Sequence, residues 1–192
     1  MRIIAGTKRG MKLLPPKGRD TRPITDRVKE SLFSVLYKYD VIEGKNIADL
    51  FCGTGSLGLE ALSRGAANVT FVDSSAGAIE RLNRNIEKAG FVKESKVIKA
   101  NALKIGAAIG LGRQKCDLIF VDPPYRMTTD VSIVSPAGRL LEMLAGQIAD
   151  DGIIAVRTNR RTNLLDEYGR LSIIDRRQWG TMAITLLQLI ID

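Results

Sequence analysis

The chain of 192 residues contains no histidine, only two cysteines and few aromatic residues, 5%. Each shortage removes a class of function. Without histidine there is no Ser-His-Asp or Cys-His nucleophile, no zinc site of the histidine-bearing kinds and no imidazole acid-base catalyst. Cys52 and Cys116 are too few and too far apart for a disulfide framework or a four-ligand metal site. A reduced protein is expected, with both thiols filling the core and no bound metal. No apolar run approaches the ~18 residues of a membrane span, and the start, Met1-Arg-Ile-Ile-Ala-Gly-Thr-Lys-Arg, is too poor in apolar residues for a secretory leader. The expectation is a soluble, cytoplasmic protein with no membrane partner. Its chemistry must rest on carboxylates, amides, backbone groups or a cofactor.

What the chain has is a hydrophobic content of 45%, enough for one sizeable core, and a formal net charge of +8. The charge is unevenly placed. Residues 1–30 carry nine basic residues (Arg2, Lys8, Arg9, Lys12, Lys17, Arg19, Arg22, Arg27, Lys29) against Asp20, Asp26 and Glu30. Residues 31–156 are balanced, and a second basic excess follows through Arg157, Arg160, Arg161, Arg170, Arg176 and Arg177. A neutral body flanked by basic ends suits a polyanion, because each phosphate that is neutralised releases counterions. Lys8, Arg9 and Lys12 of the amino-terminal end, with Arg126 of the body, are candidate nucleic-acid contacts.

Between residues 45 and 157 short β-rich runs (Ile47–Phe51, Val69–Asp73, Val97–Ala100, Leu118–Asp122, Ile153–Val156) alternate with helical stretches (Leu57–Ser63, Ala76–Ala89, Leu103–Ile109, Gly138–Ala149). Such alternation predicts an α/β fold with a parallel sheet covered on both faces. Thr25 or Asp26 caps a helix marked by Val28, Leu32, Val35, Leu36 and Tyr39. Residues 1–20 read as a small basic β-hairpin extension ahead of a main domain over 21–192. Leu171–Ile174 and Ala183–Ile191, joined through Trp179-Gly180-Thr181, predict an antiparallel hairpin that finishes the sheet.

Asp49-Leu-Phe-Cys-Gly53-Thr-Gly55-Ser-Leu-Gly58 places G-x-G-x-x-G after a strand and at the start of a helix. Gly53 and Gly55 allow a ligand to approach the backbone, and Gly58 allows close packing of helix on strand. Asp73 ends the next strand, where a carboxylate accepts hydrogen bonds from ribose hydroxyls, so an adenosine-containing cofactor fits. These residues do not separate NAD from S-adenosylmethionine. Asp49 favours the second, because a carboxylate there repels a pyrophosphate but suits an ammonium group.

Leu118-Ile-Phe-Val-Asp122-Pro123-Pro124-Tyr125 puts a carboxylate, two prolines and an aromatic ring at the carboxyl end of the fourth strand, the edge where open α/β sheets bind ligands. The amino group of a nucleobase is a poor nucleophile, its lone pair being delocalised into the ring. Asp122 and a carbonyl of the Pro123 region can hold its two hydrogens while an exposed Tyr125 stacks on the base, leaving transfer to positioning and electrostatics.

D-P-P-Y after a glycine loop resembles the amino-methyltransferases of nucleic-acid bases. Read with Arg22-Pro-Ile-Thr25-Asp26-Arg27-Val-Lys-Glu30, Asp49 to Ala66, Arg2-Ile-Ile-Ala-Gly and Arg9-Gly-Met-Lys-Leu, the chain resembles the RsmD family over nearly its whole length. That family methylates the 2-amino group of a guanine in 16S ribosomal RNA. The resemblance implies a Rossmann-like, seven-stranded methyltransferase sheet whose last strand is antiparallel, and as substrate 16S ribosomal RNA, free or in a partly assembled small ribosomal subunit; a monomer is the expectation. It also implies S-adenosylmethionine held by Asp49, Phe51, Gly53 and Gly55 at the methionine part, Asp73 at the ribose and Asn101-Ala102 at the adenine. Arg22 and Thr25 would close that pocket, and Asp122, Pro123, Pro124 and Tyr125 would hold the guanine. Two positions depart from the family pattern: Arg157 stands where many members have an acidic residue, and Ala5-Gly6 where they have Gly-Gly.

Two other readings fit parts of the sequence. One is an adenine amino-methyltransferase acting on DNA, which the lack of a separate sequence-reading domain disfavours. The other is a non-catalytic RNA-binding or ribosome assembly factor, which intact Gly53, Gly55, Asp73 and Asp122 oppose. An NAD oxidoreductase fits least, since nothing near Asp122 supplies a hydride-transfer acid.

Overall fold

The computed structural model describes residues 1–16, 24–108 and 114–190. One mixed sheet runs through them. Its strands are β1 (Asn46–Leu50), β2 (Asn68–Asp73), β3 (Ser95–Lys99), β4 (Cys116–Val121), β5 (Ile148–Asn159), β6 (Glu167–Tyr168), β7 (Leu171–Trp179) and β8 (Met182–Leu189), in the order β3-β2-β1-β4-β5-β8-β7-β6. The first five are parallel, and β8 enters antiparallel between β5 and β7. Eight strands stand where seven were expected: the extra one is the two-residue β6 on the outer edge. The expected terminal hairpin is β7 and β8.

Among the described residues five α-helices connect or precede these strands: α1 (Asp26–Leu36), α2 (Ser56–Ser63), α3 (Ala76–Ala89), α4 (Ala102–Ile105) and α5 (Pro136–Ala145). Side chains alternate along the strands, so each strand feeds two cores. Ile47, Phe71, Leu118, Phe120 and Ile153 pack with α1, α2 and α3 on one face, and Ala48, Val72, Ile119, Val121 and Ile154 pack with α5 on the other. Cys52 and Cys116 are buried, and burial pushes both thiols up, Cys116 to about 12. They fill core, as expected.

Local chemistry sets the ends of these elements. Thr25 Oγ1 and Ser75 Oγ accept the N–H groups of Val28 and Ala78 at the starts of α1 and α3. The helix expected over Leu103–Ile109 stops at Ile105, because Gly106 turns the chain with φ 57°. The one expected over Gly138–Ala149 begins earlier, where Ser135 caps it and Pro136 takes the first turn, and ends at Ala145. Gly58 has no room for a side chain: a Cβ there would stand 2.3 Å from Cε1 of Phe71 on β2.

The amino-terminal residues form a hairpin-like strap, with Arg2 and Lys12 as an antiparallel bridge. It is fixed from below by a buried ion pair. Lys29 of α1 and Glu60 of α2, 1% and 0% exposed, meet at 3.1 Å. Glu60 accepts the main-chain N–H groups of Ile4 and Ala5, and Lys29 Nζ donates to the carbonyl of Arg2. Arg64 extends the cluster to Glu60 and Glu30. Replacing one member of a buried pair strands the other charge, so Lys29→Met is expected to lose about 3–5 kcal/mol in urea unfolding. Arg2→Ala, on the exposed Arg2–Asp26 pair, is expected to lose under about 1 kcal/mol.

Candidate active site

Four parallel strands end at one edge, and alternation decides which of their side chains share a face. Asp49 is two residues after Ile47, Asp73 two after Phe71, Asp122 two after Phe120, and Arg157 four after Ile153. All four partner residues point to the α1–α3 face. Three acids and one arginine are therefore gathered at the carboxyl edge of β1, β2, β4 and β5. They line a cleft of about 760 Å³ that reaches from Gly77 and Ala78 at the start of α3 to Thr181 between β7 and β8.

The glycine loop forms one wall. After β1, Phe51 adopts φ 58°, unusual for a residue with a side chain, and Gly53 and Gly55 follow at 55° and 86°. A Cβ on Gly53 would meet nothing within 4 Å, whereas one on Gly55 would strike Leu82 at 2.5 Å. Gly53 thus keeps backbone open to the cleft, and Gly55 turns inward on α3. Asp73 holds the loop to β2: its two carboxylate oxygens accept the N–H groups of Gly53 and Ser75, each at 2.8 Å. Asn85 of α3 ties the same loop to the strap, donating to the carbonyl of Thr54 and accepting the N–H of Leu14.

Asp49 is buried at the floor, where its carboxylate accepts the N–H of Gly58 at 2.9 Å. Burial pushes the carboxyl up to about 8 against that hydrogen bond, with smaller help from the charges of Asp122 and Asp73. Asp122 follows β4, and its N–H donates to the carbonyl of Leu50 on β1, which brings the D-P-P-Y segment beside the glycine loop. Burial pushes its carboxyl up as well, and the charge of Arg157 opposes this. Tyr125 opens a short turn over Tyr125–Thr128. Its ring is half-buried rather than exposed, and its hydroxyl oxygen is buried without a partner among the described residues.

Of the residues singled out in the sequence, Asp49, Phe51, Gly53, Asp73, Asn101, Ala102, Asp122, Pro123, Pro124, Tyr125 and Arg126 all line this one cleft. Thr25 is exposed and caps α1, away from the lining, and Gly55 is buried behind it. Arg22 lies outside the described residues. Lys8, Arg9 and Lys12 are exposed on the strap and do not reach the lining. Met1, Pro16, Ile24, Asn159 and Thr181 also line the cleft and carried no signal in the sequence. Arg157, singled out in the sequence as a departure from the family pattern after the fifth strand, lines the cleft as well.

Comparison with known proteins places the whole chain in a family. Residues 1–188 match the family described as Conserved hypothetical protein 95. Ribosomal RNA small subunit methyltransferase D of Escherichia coli K12 is 35% identical over 190 residues, 98% of this chain and 89% of that protein. Among solved structures, yhhF from Escherichia coli superposes with a TM-score of 0.78 at 32% identity, over 98% of this chain and 97% of that one. A methylase from Haemophilus influenzae gives 0.74 at 30% identity, over 98% of each chain. From the glycine loop to the D-P-P-Y turn and along almost its entire length, the chain belongs to the RsmD family.

Proposed function

We propose that this protein transfers a methyl group from S-adenosylmethionine to the exocyclic 2-amino group of a guanine in small-subunit ribosomal RNA. Methyl transfer to ribosomal RNA follows from membership of a family whose Escherichia coli relative bears that name. The observation that carries the finer reading is the meeting of the glycine loop and Asp122 in one cleft, with Asp122 N–H bonded to Leu50 at the root of the loop.

The cleft suits the cofactor by its own chemistry. Asp49 offers a buried acid to an ammonium group, Asp73 a carboxylate to ribose hydroxyls, Asn101-Ala102 a wall for adenine, and Gly53 backbone without a side chain in the way. When bound, the cofactor supplies an electrophilic methyl group on a sulfonium and departs as a neutral thioether. The remaining work falls to the protein. Asp122 and a proline carbonyl accept the two amino hydrogens, which draws the nitrogen lone pair out of conjugation and toward the methyl carbon. As the new carbon–nitrogen bond forms, the nitrogen becomes cationic, and its proton leaves along the hydrogen bond to Asp122. Tyr125 limits the tilt of the base, which must first leave its stack, at a cost of a few kcal/mol that is smallest in a loop. The absence of histidine fits a nitrogen that loses its proton only as it is methylated.

The RNA grip is read on the strap, where Lys8, Arg9 and Lys12 stand exposed, and at the mouth on Arg126. Since residues 4 and 5 are bonded to α2, the strap holds a fixed position relative to the cleft.

Three outcomes are expected. Asp122→Ala retains cofactor affinity within about threefold and loses ~10²–10³ in turnover, read by calorimetry and methyl transfer from labelled cofactor. Near wild-type turnover would remove Asp122 from the mechanism. Cofactor binding at pH 7 releases close to one proton, because a cation beside Asp49 brings down a carboxyl that burial has pushed up to about 8. Affinity then rises with pH up to about 8 and weakens as pH falls; calorimetry in buffers of different ionisation heat measures the proton count. Exchanging Lys8, Arg9 and Lys12 for glutamine lowers the slope of log affinity for RNA against log salt by about 2, whereas an unchanged slope places the RNA elsewhere.

A further inference from the structure

Asp122 and Arg157 sit one residue beyond Val121 and Val156, the last paired positions of β4 and β5. They leave adjacent strands side by side and on the same face, where neighbouring Cβ atoms stand about 5 Å apart. Arg157 Nε meets Asp122 Oδ1 at 2.5 Å, with only 12% and 19% of the two side chains exposed. Oδ1 itself is fully buried and lies against the guanidinium, held there by charge rather than by an aligned Nε–H hydrogen bond. The oxygen left to meet a ligand is Oδ2.

We propose that Arg157 is the positioning residue of the Asp122 carboxylate: by clamping Oδ1 it fixes the rotation of the group and presents Oδ2 as an anionic acceptor to the target amino group. This rests on the reading of Asp122 given above. An amino group offers hydrogens, so a protonated Asp122, with an O–H of its own, would oppose it donor to donor. The titratable and charged groups around Asp122 on the cleft wall are Asp49 from β1, Asp73 from β2, Tyr125 and Arg126 from the turn that follows it, and Arg157 from β5. Burial favours the neutral acid, the other two acids do not relieve it, and Arg157 is the cation in contact. A guanidinium does this better than an ammonium, since its planar fork sets orientation as well as charge.

The test compares Arg157→Gln and Arg157→Lys with the wild type, measuring kcat against pH on unmodified ribosomal RNA and, separately, cofactor Kd. With glutamine the expected result is a cofactor Kd within about threefold, a kcat at pH 7 lower by about tenfold, and a rising limb moved by about three pH units to the alkaline side, so that raising the pH restores much of the loss. With lysine the limb stays near its wild-type position while kcat falls at every pH. A glutamine variant whose profile runs parallel to the wild type, with no displaced limb, overturns the proposal. If the glutamine variant does not fold, the carboxyl carbon-13 resonance of Asp122 in the wild type decides. No protonation step between about pH 5 and pH 8 supports the clamp, and a step near neutrality refutes it. That titration needs no substrate, so it judges Arg157 even if wild-type protein leaves guanine unmethylated, the result that would defeat the parent reading.

Discussion

Glu60 lies wholly inside the protein with four groups on its two oxygens: the N–H groups of Ile4 and Ala5, the ammonium of Lys29 and the guanidinium of Arg64. Lys29 in turn reaches the carbonyl of Arg2 and the backbone of Ser56 at the head of α2. Burying two charges costs several kcal/mol each, and only this full set of partners offsets it. In return α1, α2 and the strap are held in one register. Since α2 begins where the glycine loop ends, the amino terminus is fixed relative to the cleft wall. Ser63 adds to this by donating to the carbonyl of Ala5 and accepting the N–H of Lys8, and Gly6 passes so close to α2 that a Cβ would overlap the carbonyl of Ser63.

The cleft itself is a place where anions are disfavoured by their surroundings. Asp49 and Asp122 are both pushed toward their neutral forms by burial, and the charge of Asp122 adds to the push on Asp49. The two are relieved differently. Asp122 has a resident cation in Arg157, whereas Asp49 has the N–H of Gly58. A positively charged ligand would complete the second pairing. The same physics therefore separates two acids of one cleft into a preset acceptor and a ligand-dependent one.

Much of this was legible in the sequence because it depends on short-range pattern. Short β-rich apolar runs located the parallel strands, the glycine spacing located the loop, and Asp73 and Asp122 were found as strand ends. The family resemblance rested in part on Thr25 to Glu30 and on Asp49 to Ala66, and the structure gives a physical reason to read them together: Lys29 and Glu30 of the first segment pair with Glu60 and Arg64 of the second. That coupling was not legible, since a lysine in an amphipathic helix is ordinarily a solvent-facing residue and its partner lies far along the chain. Tyr125 was misjudged as exposed because its turn folds the ring back against the α1–α3 core. The early starts of α5 and β5, and the eighth strand, depend on capping and edge pairing that hydropathy alone does not encode.

The central claim is that one cleft, bounded by the glycine loop and Asp122, methylates the 2-amino group of a guanine in ribosomal RNA. Incubating the protein with labelled S-adenosylmethionine and unmethylated small-subunit RNA or subunits, then digesting to nucleosides and identifying the labelled one by mass spectrometry, tests it most directly. The account predicts 2-methylguanosine as the labelled product. Label in an adenosine, label in DNA but not in RNA, or cofactor binding with no transfer to either would contradict it.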